Sequence, residues 1–296
     1  MSEDIRLQEY PCPVCGSVER SSLYAVKGFS IVRCRTCGMV HVNPRIPDES
    51  IFDIYRNQYF QRSANGYGGY ELIAPMRKRT FHRWYETIKP YLPDGRGNAL
   101  DVGCAAGYFI DVLREDGWSA EGIELDLGMA EDLVRRGNRV SNVPLEAFAT
   151  SRKFRLIALF DVIEHLPGVA GDMAKIADLL DDDGIVAIVT PNVMSPQRKL
   201  MGRRWFQFKP REHIHYFSPA TLDRLAARHG LTPVHVSASG QYADFSFLGE
   251  RLKKYGYTAP AAIFRMFMKL FRLDDTSRFI RTGSMLVVLK KAKPGA

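Results

Sequence analysis

Residues 100–126, LDVGCAAGYFIDVLREDGWSAEGIELD, constrain this chain more than any other stretch. An apolar run (Ala99, Leu100, Val102) carries an acid, Asp101, and gives way to small residues from Gly103 to Gly107. Apolar residues at helical spacing follow (Phe109, Ile110, Val112, Leu113), then Gly117 and a second short run closing on Ile123-Glu124. The pattern predicts strand, glycine-bearing turn, helix and strand, with a carboxylate at the second strand's tip. Strand ends of this kind accept a nucleotide-like ligand. Small residues let it approach the backbone, N–H groups at the helix start favour an anionic group, and the acid accepts from ribose hydroxyls.

The spacing separates two nucleotide classes. A dinucleotide turn reads G-x-G-x-x-G, whereas this one reads D-x-G-x-A-x-G. It resembles motif I, D-x-G-x-G-x-G, of the class I S-adenosylmethionine-dependent methyltransferases, with Ala105 at the place of the middle glycine. One added methyl is a small intrusion. Further on, residues 154–160 (FRLIALF) read as a buried parallel strand, followed by Asp161-Val162-Ile163-Glu164-His165-Leu166. Residues 185–190 (IVAIVT) read as another, ending in Pro191-Asn192. These are similar to the fourth and fifth strands of that family's sheet, with the D-V-x-E-H-L and T-P-N signatures of its small-molecule branch; Phe154-Arg155 replaces the branch's frequent Phe-Asp. Residues 231–236 and 284–289 supply the expected last antiparallel pair.

The resemblance implies an α/β fold: a Rossmann-like, seven-stranded methyltransferase sheet with helices on both faces. It implies S-adenosyl-L-methionine as cofactor, with Asp101, Gly103, Cys104, Ala105 and Gly107 around its methionine end. Glu124 is then expected on the ribose, Asn142 near the adenine, and Phe160 and Asp161 along the bound molecule.

With 296 residues, 46% of them apolar, the chain has room for one α/β domain and an appendage. Its net charge of +8 either favours an anionic partner or marks a basic soluble enzyme. The opening MSEDIRLQEY is acidic and lacks the apolar core of a secretory signal. No run is long enough to cross a bilayer, so a reducing cytoplasm is the expected compartment.

Two C-x-x-C-G knuckles, Cys12-Pro13-Val14-Cys15-Gly16 and Cys34-Arg35-Thr36-Cys37-Gly38, have the separation of a zinc ribbon. A glycine after the second cysteine permits the tight turn from which both thiolates reach one ion. The expectation is a structural Zn²⁺ on Cys12, Cys15, Cys34 and Cys37, its excess negative charge offset by Arg33 and Arg35. Disulfides or a redox pair are the competing readings. Cys104 reads as a small turn residue. Cysteine pairs before the nucleotide domain also occur in sugar C-methyltransferases, a partial likeness because those carry a large extra C-terminal domain.

The expected boundaries are a ribbon over 1–47, a helical linker and lid over 48–95, a core over 96–240 and 283–296, and a helical insert over 241–282. In the linker, glycines around Tyr67 with Tyr59, Phe60 and Tyr70 nearby suit either a plain surface loop or an aromatic flap, with Tyr70 on the cofactor. In the insert, Arg265, Lys269 and Arg272 form a basic stripe on a helix over 261–272. Segment 251–272 reads as a pocket cap or as a peripheral contact with the inner membrane face.

After Asn192 a loop interleaves Arg198, Lys199, Arg203, Arg204, Lys209 and Arg211 with Trp205, Phe206 and Phe208, then gives His213 and His215. The family resemblance puts its H-x-x-x-F-S pattern on the substrate side. Imidazole titrates near neutrality and can take the proton of an attacking hydroxyl. His213 is the candidate base and His215 the second, with loop bracing as the other role for either. Asp161, Glu164 and His165 also resemble the magnesium-binding E-x-x-E-H of some quinone-pathway O-methyltransferases. The combined reading is a methyltransferase acting on a small, lipid-linked or carrier-linked acceptor, anionic ones included, at a hydroxyl of a sugar, glycolipid or natural-product intermediate. The alternative is an RNA methyltransferase or nucleic-acid-binding protein gripping phosphates with the ribbon and basic loop. Against it, Phe160-Asp161-Val162 stands where base-nitrogen methylating enzymes have an N-P-P-Y-like motif.

Overall fold

A computed structural model describes residues 7–56, 74–244 and 277–292, with backbone alone for 54–56 and 244. The flap around Tyr67, its Tyr70, and segment 251–272 lie outside the described residues. The chain opens with β1 (Arg20–Val26), β2 (Phe29–Cys34), β3 (Val40–Val42) and α1 (Asp48–Arg56). Helix α2 (Ala74–Ile88) leads into β4 (Asn98–Val102), α3 (Tyr108–Glu115), β5 (Ser119–Ile123), α4 (Leu127–Arg135) and β6 (Arg139–Ser141). The second half runs β7 (Phe154–Phe160), α5 (Val169–Leu179), β8 (Leu180–Pro191), α6 (Pro196–Met201), β9 (His215–Tyr216), α7 (Pro219–Ala227), β10 (Leu231–Asp244) and β11 (Ser277–Lys291). No described helix is long and apolar enough to cross a membrane.

Seven strands form one sheet in the order β10-β11-β8-β7-β4-β5-β6. Strands β4 to β8 are mutually parallel, and β11 runs antiparallel to both β8 and β10. The central strands are apolar on both faces, as a doubly covered parallel sheet requires. In β7, Leu156, Ala158 and Phe160 pack with Trp84 of α2 and Phe109 of α3, whereas Phe154, Ile157 and Leu159 pack with α5 and α7. The expected seven-stranded α/β sheet is present, and β10 and β11 run well past the segments legible as apolar. The chain leaves β4 first toward β5 and β6, then returns to build β7 and β8 on its other side. That reversal opens a crevice beyond the carboxyl end of β4, the usual ligand position in such sheets.

The cysteine module forms a second sheet, β1-β2-β3-β9, whose last strand comes from the loop between α6 and α7. Both knuckles have one geometry. Gly16 N–H donates to the Cys12 carbonyl at 2.9 Å and Gly38 N–H to that of Cys34 at 3.0 Å. Each glycine is left-handed, at φ 77° and 78°. Cys12, Val14, Cys34 and Met39 share one core with Phe217, Leu222 and Leu225, and Arg228, which caps the end of α7, donates to the Val14 carbonyl at 2.9 Å. The module is thus packed onto the large sheet. Ser218 caps α7 in a capping box with Thr221, and Pro219 opens the helix, as the sequence predicts.

The turn after β4 is left-handed at three alternate residues: Gly103 at φ 71°, Ala105 at 47° and Gly107 at 76°. A Cβ on Gly103 would meet Val162 at 2.7 Å, and one on Gly107 would meet Leu133 at 2.4 Å, so both must be glycine. At Ala105 the consequence is conformational rather than steric, because an L-residue in this region is strained by about 1–2 kcal/mol. Relief of that strain exceeds the roughly 0.5–1 kcal/mol of added backbone entropy. Ala105→Gly is therefore expected to stabilise the protein by about 0.5–1 kcal/mol, read by reversible denaturant unfolding.

Candidate active site

The crevice beyond β4 is lined by Asp101, residues 103–106, Tyr108 and Phe160, with Arg77 and Phe81 of α2 across from them. Its corner is held by Glu124, which is buried at the tip of β5. Ala105 N–H donates to Glu124 Oε2 and Asp126 N–H to Oε1, both at 2.8 Å. Burial pushes this carboxyl up to about 7, against the lowering effect of those N–H groups. Asp101 is also buried; desolvation, and then the charge of Glu124, hold its carboxyl well above the usual range. Two acids in one dry corner await a partner that is cationic or rich in donors.

The sulfur of Cys104 occupies the space a side chain on Gly122 of β5 would need, since a Cβ there would lie 2.5 Å from Sγ. Cys104 thus packs as a small turn residue, as expected, while also lining the crevice. Phe160 meets Phe109 edge-on at 4.7 Å and Trp84 at 5.0 Å, with Phe81 stacked at 6.0 Å. Asn142 donates to the carbonyls of Glu124 at 2.8 Å and Leu125 at 3.0 Å, bracing the loop that carries the glutamate. Asp161 follows β7 with φ 59°, its carboxylate 3.9 Å from Arg77.

Beyond Asp161 lies a second buried group. Thr190 Oγ1 donates to Glu164 at 2.9 Å, and His165 Nδ1 donates to the Glu212 carbonyl at 2.9 Å. His213 stands edge-on to His165 with ring centres 4.7 Å apart. Burial pushes the Glu164 carboxyl up to about 8, and burial holds His165 down at about 4 and His213 well below its ordinary value. His213 is therefore a neutral imidazole at pH 7. His215 differs: its Nε2 donates to the Leu166 carbonyl at 3.0 Å, and it pairs across strands with His41 of β3. The two histidines, indistinguishable in sequence, find different partners: His213 stands against His165, while His215 opens β9, pairs with His41 and donates to Leu166.

The four ribbon cysteines converge. Cys12 and Cys37 sulfurs are 3.5 Å apart, those of Cys15 and Cys34 3.6 Å, and all four lie within 4.8 Å of one another. None of the four is in a disulfide. A tetrahedral Zn–S arm of about 2.3 Å gives sulfur–sulfur edges of about 3.8 Å, so the arrangement fits a four-thiolate ion. Burial also pushes the Cys37 thiol up to about 11, a cost that a bound cation offsets.

The loop aromatics are placed otherwise than a nucleic-acid surface needs. Trp205 and Phe208 are buried edge-on at 5.1 Å, and Phe208 packs on Tyr216 at 5.0 Å. Lys199, Arg203, Arg204 and Arg211 are exposed. Sequence reasoning missed Arg77, Phe81 and Tyr108 as lining residues. A signal was available, because Arg77, Phe81 and Trp84 lie at helical spacing ahead of β4.

Residues 76–236 match the family described as a methyltransferase domain. Two curated relatives are named ubiquinone biosynthesis O-methyltransferase. That of Aromatoleum aromaticum is 24% identical over 181 residues, covering 51% of this chain and 77% of that protein. That of Methylococcus capsulatus is 31% identical over 102 residues, covering 32% of this chain and 43% of that protein, so the match spans less than half of the second relative. Solved structures with a similar fold include a chain of the complex between the Haloferax volcanii Trm112 methyltransferase activator and a methyltransferase. It has TM-score 0.52 and 13% identity over 77% of this chain and 97% of that one. An S-adenosylmethionine-dependent methyltransferase of Thermotoga maritima has TM-score 0.50 and 17% identity over 79% and 98%. With more than half its length in the family match and the sheet order and crevice described above, the chain belongs to the methyltransferase-domain family and is a class I S-adenosylmethionine-dependent methyltransferase.

Proposed function

We propose that this enzyme methylates a hydroxyl of a small or carrier-linked acceptor, of the sugar, glycolipid or natural-product kind. The observation that carries this reading is the buried imidazole of His213, held edge-on to His165 of the turn that follows β7. Both curated relatives are named as O-methyltransferases, which supports a hydroxyl over an amine. S-adenosylmethionine supplies an electrophilic methyl on a sulfonium sulfur. Around it, Asp101 stands ready to ionise against an ammonium, and Glu124 to accept from two ribose hydroxyls. His213 takes the hydroxyl's proton as oxygen attacks. The hydrogen bond from His215 to Leu166 supports a bracing role for that residue. The exposed Lys199, Arg203, Arg204 and Arg211 suit a phosphate- or carboxylate-bearing acceptor. Incubation with methyl-labelled cofactor and extracts fractionated by acceptor class should give a methyl ether; label found only on nitrogen overturns the assignment.

The cofactor roles predict a pH dependence. Hydroxyl donors favour the ionised form of Glu124, whose carboxyl sits at about 7 in the free protein. Asp101 of β4 and Asp126 at the head of α4 face the same carboxyl, and the nearby cations are Arg136, which acts on Cys104, and Arg77 across the crevice. Binding of S-adenosylhomocysteine should therefore strengthen as pH rises through about 7, with proton uptake by buffer, and level off above. Calorimetry in two buffers of different ionisation heat reads this. Glu124→Gln should flatten the slope and weaken binding tenfold or more, about 1.4 kcal/mol.

The ribbon is proposed to hold one structural Zn²⁺. Metal analysis should find one equivalent released by thiol modification, and the stripped protein should melt on the order of 10 °C lower.

A further inference from the structure

The outer half of the β10–β11 pair runs past the sheet and takes hold of α2. Strand β8 pairs with β11 only between Lys290 and Ser284. Beyond Ser284 the register shifts: Thr282 and Gly283 are extra residues on β11, and pairing with β10 resumes at Gly240↔Arg281 and continues to Asp244↔Ser277. An insertion of this kind re-aims the strands that follow it. Gly240 is obligatory at the shift, because a Cβ there would lie 1.9 Å from the Ile280 carbonyl oxygen.

Trp84 Nε1 of α2 donates to the Gly240 carbonyl at 3.0 Å. One turn earlier, Thr80 Oγ1 accepts from the Tyr242 N–H at 2.9 Å and donates to the Met76 carbonyl at 2.8 Å. Thr80 is 0% exposed, so its hydroxyl has these protein groups in place of water. The Arg79 guanidinium covers the Tyr242 ring at 4.3 Å and donates to Ser277. The same turn of α2 carries Arg77 and Phe81, which line the cofactor crevice. Phe81 and Trp84 also pack on Phe160, the aromatic wall of that crevice. The extension grips a second element. Asn192 N–H donates to the Gly283 carbonyl at 2.9 Å and Gln197 Nε2 to the Arg281 carbonyl at 3.2 Å, which ties down the loop after β8.

We propose that Thr80 is a positioning residue for cofactor binding, through which the outer half of the β10–β11 pair sets the place of Arg77 and Phe81 against the cofactor turn. Binding groups act fully only within about 0.5 Å of their productive position, and their support must be correspondingly firm. A buried hydroxyl that both accepts from the strand and donates to the helix supplies such support. Its loss strands the Tyr242 N–H and loosens the turn. The grip on Asn192 and Gln197 makes the extension a common support for the cofactor wall and for the loop leading to His213. This role requires the crevice to be the cofactor site and requires nothing of the acceptor.

The test is calorimetric titration of the full chain with S-adenosylhomocysteine, well below the melting temperature of each variant. Thr80→Val keeps the shape and removes the hydroxyl; it should bind at least about threefold more weakly, the size of one hydrogen bond. Thr80→Ser restores the hydroxyl and should bind within about twofold of the wild type. Tyr85→Phe is the control, since it removes from the same helix a hydroxyl bonded to Asp116 and Trp118. It should bind as the wild type does even where it melts lower. If circular dichroism finds Thr80→Val unfolded, Trp84→Phe, which loses the donor to Gly240, takes its place with the same expected weakening. Wild-type affinity in Thr80→Val overturns the role. So does a Thr80→Ser or a Tyr85→Phe as weak as Thr80→Val, because packing or overall stability is then the cause. A wild type that binds no S-adenosylhomocysteine overturns the cofactor reading of the crevice and this role with it, whereas unchanged variants beside a binding wild type overturn the role alone.

Discussion

One buried carboxylate ties the cofactor corner together. Glu124 takes the Ala105 N–H on one oxygen and the Asp126 N–H on the other, joining the turn after β4 to the start of α4. Gly103 and Cys104 N–H groups add bonds to the Ile123 carbonyl at 2.8 and 3.0 Å. Gly103, Cys104 and Ala105 thereby find amide partners without help from regular structure. The same bonds fix where backbone, carboxylate and crevice stand relative to one another. Asn142, by gripping the carbonyls on either side of Leu125, prevents that loop from drifting away from the corner.

The loop that carries His213 is organised by the ribbon as much as by the large sheet. Strand β3 of the ribbon pairs with β9, and Val42 N–H donates to Ile214 at 2.9 Å. Ile214 N–H in turn donates to the Glu164 carbonyl at 3.0 Å. A continuous backbone path therefore runs from the cysteine knuckles, past His213, to the turn after β7. Buried aromatics reinforce it, with Trp205, Phe208 and Tyr216 packed against Ile31 and Val40. An appendage that seemed in sequence to precede the methyltransferase domain contributes three strands of the sheet that carries the His213 loop.

Legibility in the sequence followed the range of the interactions. The run FRLIALF shows its strand because burial on both faces leaves only apolar residues, and β7 has those bounds. The knuckles show their turn because left-handed backbone demands glycine at one place. The Ser218-Pro219 start of α7 is equally local. Strand β9 carries no such signal, since its two residues are defined only by their pairing with β3. Ala105 was legible as a deviation in size but not as a left-handed residue, because the strain depends on a turn closed by Glu124 from another strand.

The sequence alone determined the alternation of strands and helices, the glycine turn, the acid at the end of β5 and the four-cysteine set. All of these rest on backbone sterics, burial and chemistry between near neighbours. Only the tertiary structure decided that His213 and His215 part company, that Trp205 and Phe208 are core, and that Glu164, His165 and His213 face one another. Those outcomes depend on contacts between segments far apart in the chain, where residue type states what a group can do but not what it meets.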